Sequence, residues 1–151
     1  MSLIYKKGDI LTANENLICH QVNVDGVMGG GLAKQIASAY PEVFRYYKKF
    51  CMLYKFDYET LKGLYFDLDI RNSRSIVNCF TQKPNFDTDY EAIEECFKKL
   101  LELCKIHNYS ISVPYKYGCG IANGDWNIVS KIFEDLSNEY GVNIVVYQLE
   151  E

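Results

Sequence analysis

Two glycine-rich loops, each placed between an apolar strand-like run and a helical pattern, constrain the fold of this 151-residue chain most strongly. One spans residues 20–33 and follows Leu17–Val22, and the other spans residues 113–126 and follows Ile111–Val113. A strand that passes through glycine into a helix directs backbone N–H groups and a helix N-terminus at one place, which suits an anion. We expect the loops to lie on neighbouring strands and to form opposite walls of a cleft for a diphosphate.

The rest of the chain alternates between strand and helix periodicity. The pattern predicts strands at Leu3–Tyr5, Leu17–Val22, Gly63–Ile70, Ser75–Phe80, Ile111–Val113 and Val142–Leu149, and helices at Leu32–Tyr40, 41–50, 90–104 and Trp126–Tyr140. Thr88 and Glu91 match a capping box before the third of these helices, and Gly141 is placed to cap the last. Strands interleaved with helices favour an α/β class, a three-layer α/β/α sandwich around a mixed, mostly parallel central sheet. With no linker and no repeat, we expect one domain over residues 1–151.

Composition excludes several classes of protein. Hydrophobic residues make up 48% and aromatic residues 15% of the chain, so a packed core is expected. A net charge of −4 gives no general attraction to nucleic acid or to an anionic membrane, so a bound phosphate must be held by local backbone dipoles. No apolar run approaches the ~18 residues of a membrane span, and no signal peptide is visible. We therefore expect a cytoplasmic protein without a membrane partner.

The six cysteines show neither a C-x-x-C pair nor zinc spacing with the two histidines, His20 and His107. A reducing cytoplasm therefore fits better than a disulfide framework, and we predict no metal site and no redox cofactor. Two nucleotide-binding alternatives are also excluded. The first loop lacks the G-x-G-x-x-G spacing of a dinucleotide-binding enzyme, and neither loop is followed by the Gly-Lys-Ser/Thr of a P-loop ATPase.

Four motifs together point to a known family. They are Gly8-Asp9-Ile10, Asn23 with Gly29-Gly30-Gly31-Leu32-Ala33, Asn78-Cys79-Phe80-Thr81-Gln82, and Gly118-Cys119-Gly120. This combination resembles the macrodomain family, which binds ADP-ribose, over essentially the whole chain. It is most similar to the branch with terminal ADP-ribose protein glycohydrolases, antitoxins that reverse DNA ADP-ribosylation, and ADP-ribose 1″-phosphate phosphatases. The resemblance implies ADP-ribose, ADP-ribose 1″-phosphate or ADP-ribosylated macromolecules as partners.

The resemblance also implies ligand-binding roles. The set is Asp9 and Ile10 at the adenine, Gly29, Gly30, Gly31 and Leu32 on the first wall, Thr81 and Gln82 after the third strand motif, Gly118, Cys119, Gly120 and Ile121 on the second wall, and Asn23, Ala122 and Asn123 near the distal ribose. Asp9 would accept a hydrogen bond from the adenine amine, although a turn or cap role is the alternative. Glycines without Cβ atoms allow a phosphate to approach the main chain, although a sharp turn would also use them.

The chain departs from the glycohydrolase pattern at two positions. Gln82 stands where those enzymes carry a nucleophilic lysine, and Lys83 follows it. Successive strand residues face opposite ways, so Lys83 replaces that lysine only if the strand has already ended, which Pro84 allows. Ala122 stands where those enzymes carry an aspartate, and Asp125 follows three residues later, where an N-cap is the alternative role.

His20 is the histidine next to the predicted cleft, three residues before Asn23. An imidazole titrates near neutral pH and can serve as general acid, general base or phosphoryl acceptor, and Asp125 could pair with it. A structural role in a buried strand is the alternative. Cys119 is not assigned as a nucleophile, because no histidine is adjacent to it and its motif is a structural one in the family.

Three functions stay open. A phosphatase acting on ADP-ribose 1″-phosphate would use His20, Asn23 and Asp125. A glycohydrolase or deacylase that removes ADP-ribose from protein or nucleic acid would use Lys83 or an activated water. A reader module would bind ADP-ribose without turnover. We expect a hydrolase of ADP-ribose derivatives, with the phosphatase as the first hypothesis.

Overall fold

The structure is a computed structural model that describes residues 3–149. Its strands are β1 (Leu3–Lys7), β2 (Leu17–Val22), β3 (Tyr65–Asp69), β4 (Ser75–Phe80), β5 (Gln82–Lys83), β6 (Asp87–Thr88), β7 (Ile111–Pro114) and β8 (Ile144–Gln148). Its α-helices are α1 (Gly31–Ala39), α2 (Pro41–Leu53), α3 (Tyr58–Leu61), α4 (Tyr90–His107) and α5 (Trp126–Tyr140). A short 3-10 helix covers Ile10–Thr12.

Six strands form the central sheet in the order β1-β8-β7-β2-β4-β3. All neighbouring pairs are parallel except β3 and β4, which pair antiparallel. β5 and β6 form a separate two-stranded ribbon. The mixed, mostly parallel sheet is therefore confirmed. Because β2 and β7 are parallel neighbours, their carboxyl ends lie at one edge and bring the two glycine loops together.

Helices cover both faces of this sheet. Cys19 and Val77 pack with Phe97 of α4 and Phe133 of α5 in one buried cluster. A second buried cluster contains Ile18, Ile76 and the other strand residues that point to the opposite face of the sheet. These pack with Ile36 of α1 and with Val43 and Tyr47 of α2. The alternation follows from the two-residue period of strand side chains, and it confirms the three-layer α/β/α architecture. All six cysteines are free thiols.

The predicted capping box at α4 is wrong by one residue. The N-cap is Asp89, whose carboxylate accepts a hydrogen bond from Ala92 N at 3.1 Å. Thr88 instead pairs with Gln82 in the β5–β6 ribbon, and its hydroxyl donates to the Gly118 carbonyl. The ribbon pairing extends the chain at Thr88, so the helix begins one residue later.

The last strand starts later than predicted, and residues 51–62, for which the sequence pattern predicts no element, form a helix end and a short helix. The last strand begins at Ile144 rather than Val142, because Gly141 caps α5 in a left-handed conformation with φ of +67°. Between residues 51 and 62, α2 continues to Leu53 and left-handed residues Lys55 and Phe56 turn the chain into α3. Within residues 3–149, no helix has the length and apolar character needed to cross a membrane.

Candidate ligand-binding cleft

A cleft lies at the edge where β2 and β7 end. It consists of two adjoining cavities of about 520 and 550 Å³, which share Gly31, Leu32, Pro114, Tyr115 and Lys116 on their linings. The first cavity is lined by residues of both glycine loops, as the sequence predicts. The second lies beside β1 and β8 and reaches the 3-10 helix. The cleft is therefore long enough for a ligand with two different ends.

The first glycine loop leaves backbone exposed at the start of α1. Gly31 has φ of +56°, which favours glycine, and Gly30 caps the helix without a side-chain hydrogen bond. The first N–H groups of α1 therefore have no side-chain acceptor at this end and remain available to an anion. A Cβ on Gly30 would lie 3.1 Å from the Cδ1 of Ile121, so the two loops nearly touch across the cavity. Glycine at this position keeps the cavity open.

Asn23 organises the turn that follows β2. Its side-chain oxygen accepts hydrogen bonds from Asp25 N at 2.9 Å and from the Tyr47 hydroxyl at 2.8 Å. Its amide nitrogen donates to the Val27 carbonyl at 3.2 Å. Asn23 lines the first cavity, but its oxygen is fully engaged in holding residues 23–27 against α2. Its observed role is to shape the end of the cleft.

The second glycine loop folds over a buried polar cluster. Gly118 has φ of +71°, and its carbonyl accepts from Gly124 N at 2.9 Å and from the Thr88 hydroxyl. A Cβ on Gly124 would lie only 2.4 Å from that carbonyl oxygen. Gln21 donates to Thr88 Oγ1 at 3.1 Å and accepts from Thr81 Oγ1 at 2.8 Å. These hydrogen bonds fix the position of the second glycine loop against Gln21 of β2 and Thr88 of the β5–β6 ribbon.

Four of the six residues predicted here as ligand contacts line the first cavity: Gly118, Gly120, Ile121 and Ala122. Cys119 and Asn123 do not, because their backbone N–H groups close turns onto Lys116 O at 2.9 Å and Gly120 O at 3.0 Å. The Cys119 thiol faces the Tyr117 carbonyl, and burial raises its pKa above the usual range. A raised pKa keeps the thiol protonated, which is unfavourable for a nucleophile.

His20 lies in β2 with only 2% of its surface exposed, and it lines the first cavity. Its Nε2 is 2.7 Å from Asn78 Oδ1 on β4. Asn78 Nδ2 donates to the Phe66 carbonyl at 3.0 Å, which orients the amide oxygen toward the imidazole and places the ring proton on Nε2. Nδ1 is buried and has no hydrogen-bond partner among the residues that the structure describes. Burial lowers the His20 pKa, so the neutral ring presents an unused lone pair.

The structure does not pair His20 with Asp125, since Nε2 of His20 lies against Asn78 and Nδ1 has no partner among the described residues. Asp125 caps α5, where its carboxylate accepts from Asn127 N at 2.9 Å, and it is not on the cleft lining. Register explains the difference, because parallel pairing of β2 with β4 places His20 directly opposite Asn78.

Lys83 also lies outside the cleft lining. β4 ends at Phe80, and the β5–β6 ribbon carries Lys83 to a half-exposed position 4.0 Å from the Asp87 carboxylate. Gln82 lines the first cavity instead. Thr81 is fully buried and bonds to Gln21 and to the Tyr117 hydroxyl at 2.7 Å, so it supports the second loop from beneath. The structure therefore leaves His20 as the titratable side chain of the predicted catalytic set that lines the cleft.

We expect Asp125→Ala to lower the free energy of unfolding by about 1 kcal/mol, because α5 loses its side-chain cap. Urea unfolding measures this change. Asp135→Ala is the control, since Asp135 lies within α5 and only pairs with Lys131 at 3.0 Å on the surface. Its cost should be less than about half as large. Equal costs for the two variants would contradict the capping role.

The second cavity contains the first predicted motif. Asp9 and Ile10 line it together with Tyr147 and Leu149. One Asp9 carboxylate oxygen accepts from Leu11 N at 2.9 Å and so caps the 3-10 helix. Both roles considered for Asp9 are therefore compatible, since its second oxygen is not needed for the cap.

Sequence reasoning missed several lining residues. They are Met28, Gln35, Phe86, Tyr115, Lys116 and Tyr147. Among the described lining residues, Lys116 is the one with a cationic side chain, and it borders both cavities. Its position inside the Pro114–Gly118 segment was a signal available from the sequence. Within residues 3–149, no group of three or more His, Cys, Asp or Glu side chains is arranged to hold a metal ion.

Comparisons with known proteins identify the family. The Macro domain family model matches residues 19–133. The chain is 25% identical over 161 residues to an ADP-ribose 1″-phosphate phosphatase of Lodderomyces elongisporus, covering 96% of this chain and 99% of the relative. It is 43% identical over 49 residues to a DNA ADP-ribosyl glycohydrolase of Mycobacterium tuberculosis, but this match covers 32% of the chain and 14% of that protein.

Solved structures agree with the family match. The macrodomain of Mycobacterium tuberculosis DarG superposes with a TM-score of 0.81 at 28% identity, covering 96% of each chain. The overall fold is thus shared with a solved macrodomain, and the chain belongs to the Macro domain family.

Proposed function

We propose that the cleft binds ADP-ribose and that the protein hydrolyses ADP-ribose 1″-phosphate to ADP-ribose and inorganic phosphate. The observation that carries this proposal is His20, a residue that lines the cavity between the glycine loops and whose buried Nδ1 has no hydrogen-bond partner among the residues that the structure describes. The full-length similarity to a phosphatase of this name supports it.

In the proposed binding mode, the adenine occupies the second cavity beside Asp9 and Ile10. The diphosphate lies in the first cavity beside its junction with the second, between the backbone of residues 29–31 and that of Gly118 and Gly120, with Lys116 supplying a positive charge. Backbone N–H groups at the start of α1 provide the remaining donors. The distal ribose then reaches His20 and the turn at residues 23–27.

His20 suits the role of a base in this arrangement. With its proton on Nε2, the ring accepts a proton only at Nδ1. An attacking water would transfer a proton to Nδ1 as its oxygen bonds to phosphorus, while the bond between phosphorus and the ribose 1″-oxygen breaks and its electrons leave on that oxygen. The lowered pKa keeps the base form populated at neutral pH.

Two measurements on the purified protein test this proposal. Isothermal titration calorimetry with ADP-ribose should show one site per chain. Phosphate release from ADP-ribose 1″-phosphate should exceed that from ribose 5-phosphate, which lacks the adenine and the diphosphate. Failure to bind ADP-ribose would overturn the binding proposal, and binding without phosphate release would overturn the phosphatase.

We expect Asp9→Ala to weaken ADP-ribose binding by about tenfold, because a carboxylate hydrogen bond to the adenine amine is lost. The inosine analogue of ADP-ribose, which lacks that amine, separates this effect from loss of the cap. Wild type should prefer ADP-ribose to the analogue, and Asp9→Ala should bind both equally. Asp67→Ala on β3, the opposite edge strand, is the control and should keep the preference. A preserved preference in Asp9→Ala would contradict the adenine contact.

Removal of ADP-ribose from a macromolecule is the second candidate. It is favoured by exposed Val27 and Phe86 at the first cavity, where a larger group could leave the cleft. The position of Lys83 beside Asp87 counts against a lysine nucleophile. Release of ADP-ribose from a modified peptide or oligonucleotide that is abolished by Lys83→Ala would support this candidate. A protein that binds but turns over neither substrate is a reader.

A further inference from the structure

A basic and aromatic surface follows the exposed side of α2. We call it the α2 face and define it by the cations Arg45, Lys48, Lys49 and Lys55 and the rings Tyr46, Tyr54 and Phe56. Residues 43–56 contain these four cations and no acidic residue, in a chain whose net charge is −4. Four of the chain's sixteen Lys and Arg residues therefore lie within fourteen residues that contain no acidic side chain.

Helical spacing places the cations together. Arg45, Lys48 and Lys49 are separated by three and four residues on α2 and so share one side of the helix. None of the four cations forms an ion pair in the part of the chain that the structure describes. The acidic residues nearest in sequence and in the adjoining turn are Asp25, Glu42 and Asp57, which lie outside residues 43–56 and form no ion pair with the four cations among the described residues. The cations are free to meet an anionic partner.

The rings of the α2 face are open to solvent. Tyr46, Tyr54 and Phe56 are 43%, 39% and 45% exposed. Arg45 Cζ and Lys49 Nζ lie 5.3 and 5.5 Å from the centre of the Tyr46 ring. Exposed rings flanked by cations provide both elements of single-strand recognition, stacking surfaces for bases and charges for phosphates.

The α2 face borders the turn at residues 23–27, of which Asn23 and Val27 line the first cavity. A Cβ on Gly26 would lie 3.4 Å from Lys48 Cγ and 3.4 Å from Phe56 Cε1, so both side chains border the turn at residues 23–27. The Tyr47 hydroxyl shares its one proton between Asn23 Oδ1 and the Asn23 carbonyl oxygen, 2.7 Å away, and so ties α2 to that turn. A strand bound on this face would therefore start beside the first cavity.

We propose that the α2 face binds single-stranded nucleic acid. Four cations without an ion pair among the described residues, set beside three exposed rings, favour a single strand as the partner, because it supplies both phosphates and unpaired bases. Duplex DNA would use the charges but leave the rings without bases to stack. A consequence, which rests on the proposed binding of ADP-ribose in the cleft, is that ADP-ribose derivatives joined to a nucleic acid reach the cleft along this face.

Fluorescence anisotropy with a labelled single-stranded oligonucleotide tests the proposal on the whole chain. Lys48→Gln/Lys49→Gln should weaken binding by about tenfold at low salt and reduce the slope of log K against log salt by about 1.4, since two phosphate contacts are removed. Tyr46→Ala should weaken binding about fivefold through lost stacking. Lys105→Gln/Lys131→Gln removes the same charge from α4 and α5 and should change neither quantity.

Three results would overturn the proposal. The first is the absence of oligonucleotide binding at low salt. The second is an equal loss of oligonucleotide affinity in Lys48→Gln/Lys49→Gln and in the control Lys105→Gln/Lys131→Gln. The third is an equal affinity for a poly-glutamate peptide, which would make the partner an acidic protein. Calorimetry with ADP-ribose is run on the same proteins and should be unaffected by every variant. If the protein binds the oligonucleotide but not ADP-ribose, the proposal for the α2 face stands and the proposed function is rejected.

Discussion

His20→Gln is expected to slow phosphate release from ADP-ribose 1″-phosphate by about 10²- to 10⁴-fold, the usual contribution of a general base. ADP-ribose affinity should be nearly unchanged, because the diphosphate is held by backbone and Lys116 in the proposed mode. The glutamine amide can still donate a hydrogen bond to Asn78 Oδ1. Without that donor, the fully buried Asn78 would lose the partner of its side-chain oxygen. Steady-state phosphate release and calorimetry measure the two quantities separately.

His20→Ala serves as the second variant, and thermal unfolding of both establishes that the fold is intact. Turnover at the wild-type rate in a folded variant would contradict the assignment of His20. The pH profile adds an independent test. Because burial lowers the His20 pKa, activity should persist below the ordinary histidine value of about 6.5 and fall only at more acidic pH.

The same shift has a defined effect on stability. The unfolded chain binds a proton at His20 near pH 6.5, whereas the folded protein resists protonation there because the ring is buried. As pH falls below about 6.5, the unfolded state gains protons first and the free energy of unfolding decreases. Urea unfolding from roughly pH 8 to pH 5 should show this decrease, and it should be smaller in His20→Gln.

Gly124→Ala is expected to lower the free energy of unfolding by about 2–3 kcal/mol and to weaken ADP-ribose binding strongly. The added Cβ would lie 2.4 Å from the Gly118 carbonyl oxygen, a main-chain atom that cannot rotate away. Relief requires the second loop to shift, which would break the bond from Gly124 N to Gly118 O and move Gly118 and Gly120 on the cavity wall. Urea unfolding and calorimetry report the two effects.

Gly120→Ala is the matched control for stability. A Cβ at Gly120 meets nothing within 4 Å and its backbone is not left-handed, so the free energy of unfolding should change little. The comparison separates steric conflict from the general cost of adding a methyl group to a glycine loop. Equal destabilisation by the two substitutions would contradict the close approach of Gly124 to Gly118.

Part of the predicted ligand-binding set lies on the cleft lining, and its role in binding stays a prediction. The glycines at 29–31, 118 and 120, together with Asp9 and Ile10, lie on the cleft lining as the motifs suggested. Glycine placement and strand-to-helix alternation are properties of short segments, so a single sequence reveals them. Thr81 and Cys119 belong to the same motifs and Asn123 follows the last of them, but all three are absent from the lining, because side-chain direction and turn closure depend on neighbouring segments.

The sequence by itself determined the layer architecture, the strand-to-helix loops and the common edge at which they lie, since periodicity and glycine conformation are encoded locally. Tertiary structure alone decided that His20 pairs with Asn78, 58 residues away, while Asp125 caps α5. It alone brought Gly124 against Gly118 and set the α2 face beside the turn at residues 23–27. These partners follow from strand register and helix docking, which join segments distant in the chain and leave no trace in the local pattern.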